Sequence, residues 1–206
     1  MTPAEEDDAL VTRCQGGDES AGEALVERYW DRVYAFAYRL TRDRADAEDI
    51  AQETFLRAFG RIHEYTPDGQ FKAWLLTIAT NLFKDFRKSP KSREVPSDKI
   101  DERSHTHLSA EEVYDHRELL KTLYEVIQTL SEDQQVVLLL RAVERLDYPE
   151  IAGILNVKEA TARWHMYEAR RTLRQKLKTR FPEWGLTDER QPGSVPADGN
   201  TDQSAD

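Results

Sequence analysis

The chain reads as all-α: two small helical domains joined by a flexible linker, the second containing a helix-turn-helix. Three observations predict this. Apolar residues recur at helical spacing through two long clusters, with no alternating strand pattern in either. Helix-start signatures precede the later segments: Ser109 with Glu112 and Ser131 with Gln134 fit the capping box, and Asp147 with Glu150 is its acidic variant. Between the clusters, residues 89–110 are polar and nearly free of large apolar side chains, as a linker is. The expected organisation is an acidic N-terminal segment (1–19), a first domain (20–88), the linker (89–110), a second domain (111–181) and a disordered acidic tail (182–206).

In the first domain, Leu25, Tyr29, Val33, Phe36, Ala37 and Leu40 keep one face of a helix apolar. The next helix, Asp46 to Phe59, gathers Ala47, Ile50, Ala51, Thr54, Ala58 and Ile62 on one side. On the other stand Asp49, Gln52, Glu53 and Leu56, a leucine among acids and an amide. Helical phase alone leaves two readings of that face, a plain solvated surface with one stray leucine or a docking face for a basic partner. Residues 64–70, with Pro67 and Asp68-Gly69, form a loop. A third helix runs from Phe71 to Lys88, with Phe71, Leu75, Ile78, Ala79, Leu82 and Phe86 inward. Its outer row is Thr77, Asn81, Lys84 and Lys88, with Trp74 beside it. Hydroxyl, amide, cations and an aromatic suit single-stranded DNA, although they equally describe a polar helix face.

In the second domain, Leu119, Leu123, Val126, Ile127 and Leu130 are expected in the core, followed by Val136, Val137, Leu139 and Leu140. Pro149 falls in the first turn after Asp147, where its missing N–H removes no hydrogen bond. The short helix Tyr148 to Leu155 turns Ile151, Ala152, Ile154 and Leu155 inward, and Asn156 tolerates the left-handed conformation that a tight turn requires. The helix beginning near Glu159 carries Ala162, Met166, Ala169, Leu173 and Leu177 on one stripe. Opposite lie Thr161, Trp164, Tyr167, Glu168 and Arg171, flanked by Arg163, Arg170 and Arg174. A helix in the major groove needs this division: a packed inner stripe, base-facing side chains outside, and cations for the phosphates.

Charge is distributed to the same effect. The formal net charge is −10, yet residues 158–181 hold eight Lys and Arg against two acids. One basic block in an acidic chain implies a local nucleic-acid contact rather than a DNA-coating protein. The longest aliphatic run, Val136 to Leu140, is far too short for a bilayer, and the first eight residues lack an apolar signal core. Cys14 is the single cysteine, which excludes an internal disulfide and fits a reducing cytoplasm, the expected location. His105 and His107 lie in the linker without cysteine or carboxylate partners at ligand spacing, so no metal or other cofactor is expected. No nucleophile elbow, glycine-rich phosphate loop or catalytic carboxylate pair is present, which leaves an enzyme reading without residues.

Three segments in this order resemble the extracytoplasmic-function (ECF) sigma factors of bacterial RNA polymerase: Asp46 to Phe59, Phe71 to Asn81, and Tyr148 to Arg174. The likeness spans about residues 20–180. It implies that Asp49, Gln52, Glu53 and Leu56 dock on the clamp helices of the core polymerase. It implies that Trp74, Thr77, Asn81, Lys84 and Lys88 meet the promoter −10 element, with the loop Glu64 to Gln70 as a base pocket. The −35 duplex falls to Thr161, Arg163, Trp164, His165, Tyr167, Glu168, Arg170, Arg171 and Arg174. Promoter DNA, core polymerase and an anti-sigma factor are the implied partners, with no membrane insertion and no catalysis by the chain itself. The chain departs from the family where Trp164 and His165 replace a common Ser-Arg and Glu168 stands where Arg is usual. An acid cannot pair with phosphate but accepts from a cytosine amino group, which implies an unusual −35 preference. The alternative is that Trp164 packs on a neighbour and Glu168 pairs with Arg171 or Arg174. A stand-alone helix-turn-helix regulator is the competing function, and it leaves the Asp49–Leu56 face without a role.

Overall fold

A computed structural model describes residues 2–89 and 122–184. The expected linker (beyond Ser89), the Ser109 cap, Leu119, His105, His107 and the tail beyond Trp184 lie outside the described residues. Seven α-helices of known extent occur among the described residues: α1 (Pro3–Gln15), α2 (Glu19–Thr41), α3 (Arg44–Gly60), α4 (Phe71–Lys88), α5 (Glu132–Ala142), α6 (Tyr148–Leu155) and α7 (Glu159–Arg180). Residues 122–127 are also helical. Most starts have a local cause, whereas those of α4 and α7 carry no side-chain cap. Asp18 and Asp43 accept from the first backbone N–H groups of α2 and α3, and complete capping boxes form at Ser131 and Asp147. Asn156 ends α6 at φ 54° and ψ 49°, the left-handed turn of the helix-turn-helix.

Helices α2, α3 and α4 close around Leu25, Phe36, Leu40, Phe71 and Leu75, all at most 1% exposed. The second core joins α5, α6 and α7 through Val136, Leu140, Ile151 and Ala162, which have no exposed surface. Predicted inner faces are buried throughout α2 and α3, but Phe55, Leu76 and Phe83 are buried as well. Phe55 of α3 stacks on Trp30 of α2, whereas Leu76 and Phe83 are inside because α4 packs on α2, α3 and α6 together, so its apolar arc is wider than one stripe.

The acidic segment that sequence sets apart from the first domain is helical and packs on it. Thr2 and Glu5 form a capping box, with Pro3 in the first turn. Val11 is fully buried, and the buried Asp7 carboxylate accepts from the Tyr29 hydroxyl and from Arg28 Nη1 at 2.7 Å. Removing Asp7 would leave the Tyr29 hydroxyl without its acceptor, and burial together with this carboxylate raises the phenol pKa. Cys14 lies partly buried in α1, where a β-carbon at Gly22 of α2 would stand 3.6 Å from its sulfur. Burial and then the Asp18 charge push its thiol pKa up. Iodoacetamide at mildly alkaline pH is therefore expected to label native Cys14 several-fold more slowly than the denatured chain. Equal rates would show that α1 does not stay packed.

Candidate functional site

The first surface is the outer face of α3. Its register is set by Ala47, Ala51 and Ala58, which have no exposed surface and seat the helix closely against its neighbours. That register turns Asp49, Gln52 and Leu56 to solvent, with Leu56 68% exposed. Glu53 is partly covered and pairs with Arg57 one turn on at 2.7 Å, and the Gln52 amide donates to Glu48 at 3.3 Å. The four predicted residues thus share one accessible face, carrying an isolated apolar side chain that contributes nothing to the core.

The second surface is the α3–α4 loop with the adjoining side of α4. The Tyr65 ring stands 4.8 Å from Trp74 and edge-on to Phe71 at 5.7 Å, and its hydroxyl donates to Asp68 Oδ1 at 2.9 Å. The same oxygen accepts from the Gln70 backbone N–H at 3.1 Å. Burial and the Asp68 carboxylate raise the Tyr65 pKa, so the phenol stays a neutral donor. Tyr65, Thr66, Asp68, Gln70 and Trp74 line a cleft of about 420 Å³. The opposite wall of this cleft comes from the second domain, at Glu150, Gly153 and Ile154 of α6.

The predicted row on α4 is consequently split. Asn81 and Lys88 are exposed, Lys88 lying 3.7 Å from Asp85. Thr77 shares the cleft with Trp74, and its hydroxyl donates to the Ala73 carbonyl at 2.8 Å. Lys84 pairs with Asp133 of α5 at 2.7 Å. Further contacts join the domains: Arg87 to Glu132 at 3.8 Å, Arg32 to the buried Glu144 at 3.4 Å, and Lys72 Nζ donating to the Glu144 carbonyl at 3.2 Å. Sequence reasoning did not single out Tyr65 or Arg87. The signal for Tyr65 was an aromatic at the mouth of a Pro-Asp-Gly loop, and Arg87 stands one turn beyond Lys84, beside the row that Lys88 ends.

The third surface is α7. Ala162, Met166 and Ala169 are buried, whereas Leu173 and Leu177 are only partly covered. Trp164 is 55% exposed and touches the His165 ring edge-on at 5.1 Å. Arg163 donates to Glu159 at 2.5 and 2.8 Å and lies over the Tyr148 ring at 4.4 Å. Arg170 and Arg171 are exposed, while Thr161, Tyr167 and Arg174 are half-buried. Glu168 pairs with Arg171 at 3.3 Å, one of the two alternatives open from sequence. His165 is turned away from the outer face: its side chain is 14% exposed and Nε2 lies 3.8 Å from Asp133. Lys158, exposed at the start of α7, joins the cations of this surface. Among the described residues no group of three or more His, Cys, Asp and Glu could hold a metal ion, and no helix is long and apolar enough to cross a membrane.

The family model Sigma-70 region 2 matches residues 25–93, and Sigma-70, region 4 matches residues 120–173. The ECF RNA polymerase sigma factor SigE of Mycolicibacterium smegmatis is 33% identical over 182 residues, covering 86% of this chain and 70% of that protein. The RNA polymerase sigma-H factor of Pseudomonas aeruginosa is 31% identical over 186 residues, covering 86% and 96%. Among solved structures, the sigma factor RpoE of Bartonella quintana, in complex with the anti-sigma factor NepR, superposes with a TM-score of 0.61 over 76% of this chain and 96% of that one. At 23% identity, that likeness establishes the fold.

Proposed function

Because the chain belongs to the ECF sigma factors and so directs promoter-specific initiation by RNA polymerase, we propose that its three surfaces divide the work. Asp49, Gln52, Glu53 and Leu56 dock on the core polymerase. The Tyr65–Trp74 cleft and the α4 row of Thr77, Asn81, Lys84 and Lys88 take the unpaired −10 strand, where aromatics stack and cations neutralise phosphates. The outer face of α7 enters the −35 major groove, with Arg163, Arg170, Arg171 and Arg174 near phosphates and Trp164, Tyr167 and Glu168 toward bases. The chain performs no catalysis itself and works in the cytoplasm. An anti-sigma factor is the remaining partner, as in the solved relative RpoE.

The observation that carries this reading is the exposed Leu56 on an acidic face of α3, in the same chain as a helix-turn-helix. A stand-alone regulator has no use for that face. In the free chain, α6 stands across the cleft and Asp133 occupies Lys84, so −10 capture requires the two domains to part. A net charge of −10 disfavours DNA binding by the free chain as a whole. Run-off transcription and footprinting test the reading together. A defined transcript and a protected promoter are expected only when core polymerase is present. Tight sequence-specific binding by the isolated protein at physiological salt would favour the stand-alone regulator instead.

A further inference from the structure

The loop between α3 and α4 is tied at both ends to α1, which precedes the segment matched by Sigma-70 region 2. Gln15, the last residue of α1, donates from Nε2 to the Ile62 carbonyl at 2.8 Å and to the Tyr65 carbonyl at 2.7 Å. One turn into α1, Asp8 Oδ1 accepts from the Gly69 backbone N–H at 3.1 Å. Gly69 adopts φ +77°, a conformation that side chains rarely take, and a β-carbon there would meet Ala4 of α1 at 3.5 Å. Helix α1 is itself held to α2 through the buried Asp7, with Arg28 reaching both Glu6 at 2.8 Å and Asp7 at 2.7 Å. The loop's internal bonds, Tyr65 and Gln70 to Asp68, shape its tip, and the buried Tyr65 ring packs it on Phe71 and Trp74. Helix α1 adds the polar contacts that fix its backbone from outside.

We propose that α1 is a positioning element for −10 recognition, with Gln15 and Asp8 setting the loop geometry by which the cleft distinguishes one nucleobase from another. The chemistry is suited to the task. A glutamine amide is a two-proton donor and here serves two carbonyls of one turn, so it fixes both their spacing and their direction. A carboxylate on the Gly69 N–H makes a charge-assisted bond at the other end of the loop. Rigid support of this kind determines selectivity, because a pocket that shifts by a fraction of an ångström loses its preference before it loses its contents. The inference rests on the reading of the Tyr65–Trp74 cleft as a base site.

The test uses holoenzyme reconstituted with each variant and fork-junction promoter DNAs carrying each of the four bases at every unpaired −10 position. The readout is the ratio of open complex formed on the best and worst base, which does not depend on the fraction of active protein. Gln15→Ala, Gln15→Glu and Asp8→Ala are expected to lower that ratio about three- to tenfold, the range of one net hydrogen bond. Asp8→Asn keeps an acceptor oxygen and is expected to retain the ratio. Trp74→Ala serves as the arm that tests the cleft. If Trp74→Ala lowers the ratio while the Gln15 and Asp8 variants leave it unchanged, the role of α1 is overturned and the cleft stands. If Trp74→Ala also leaves it unchanged, the base-site reading falls and takes this inference with it. A uniform loss on all four bases would mark a structural role for α1 and likewise overturn the proposal.

Discussion

Leu56→Asp is expected to abolish assembly with core polymerase while leaving helix content and the unfolding transition unchanged. The two halves of that expectation have separate causes. Leu56 is 68% exposed and packs on no core residue, so folding gains little from it. Full burial of a leucine at an interface contributes about 1.5–3 kcal/mol. An aspartate there forfeits that contribution and adds an unpaired carboxylate to be desolvated, which together correspond to a loss of roughly a hundredfold or more in affinity. Glu53→Lys acts differently. It reverses charge on a face expected to meet a basic partner and sets two cations one turn apart by removing the pair with Arg57. That exposed pair is worth only a few tenths of a kcal/mol to the free chain, so stability should again hold. Titration of labelled core polymerase with each variant, beside circular-dichroism melts of the free proteins, measures both halves. If both variants assemble holoenzyme with ordinary affinity, α3 is not the docking face and the division of labour proposed for the chain fails.

What could be read before the structure was what depends on local chemistry. The capping pairs Ser131–Gln134 and Asp147–Glu150 and the left-handed Asn156 each involve residues within a turn of one another, and all three occur as expected. The inner faces of α2 and α3 follow from periodicity, and the exposure of Leu56 is the remainder of that same phase argument. The misses share a different cause. Helix α1 carries an acidic run at Glu5–Asp8, which reads as solvated, yet Asp7 is buried because Tyr29 and Arg28 of another helix satisfy it. Nothing within α1 announces those partners. The ion pair of Lys84 with Asp133 and the contact of His165 with the same carboxylate join residues far apart in the chain. Phe83 and Leu76 are inside for the same reason: periodicity reports how many apolar residues a helix has, and tertiary neighbours decide how wide an arc they cover. The candidate DNA surface of α4 was therefore legible as a list of residues, but its partial enclosure by the second domain was not.

Trp164→Ala and Glu168→Arg are expected to change which −35 sequence the holoenzyme protects, and in opposite ways. Trp164 is 55% exposed on the outer face of α7 and touches only the edge of His165 among the described rings, so its large apolar surface is available to base edges. Its removal should weaken binding to the preferred −35 element by a factor of about 5–150, the range of a base-edge contact worth 1–3 kcal/mol, while non-specific duplex binding changes little. Glu168 is held by Arg171 at 3.3 Å with its side chain 17% exposed. Its Arg171 partner is 52% exposed, so DNA phosphates can compete for that cation, and the freed carboxylate, once rotated outward, can only accept, which selects base edges that donate. Arginine at this position reverses the requirement to a base edge that accepts, such as guanine, and adds one cation. Overall affinity for duplex DNA should therefore rise and become more salt-dependent, with discrimination moved to a different base. Footprinting across a library randomised at the −35 element reads both effects at once. Should both variants protect the same sequences as the parent chain, Trp164 and Glu168 do not face the bases, and the pair of Glu168 with Arg171 is the whole of that residue's role.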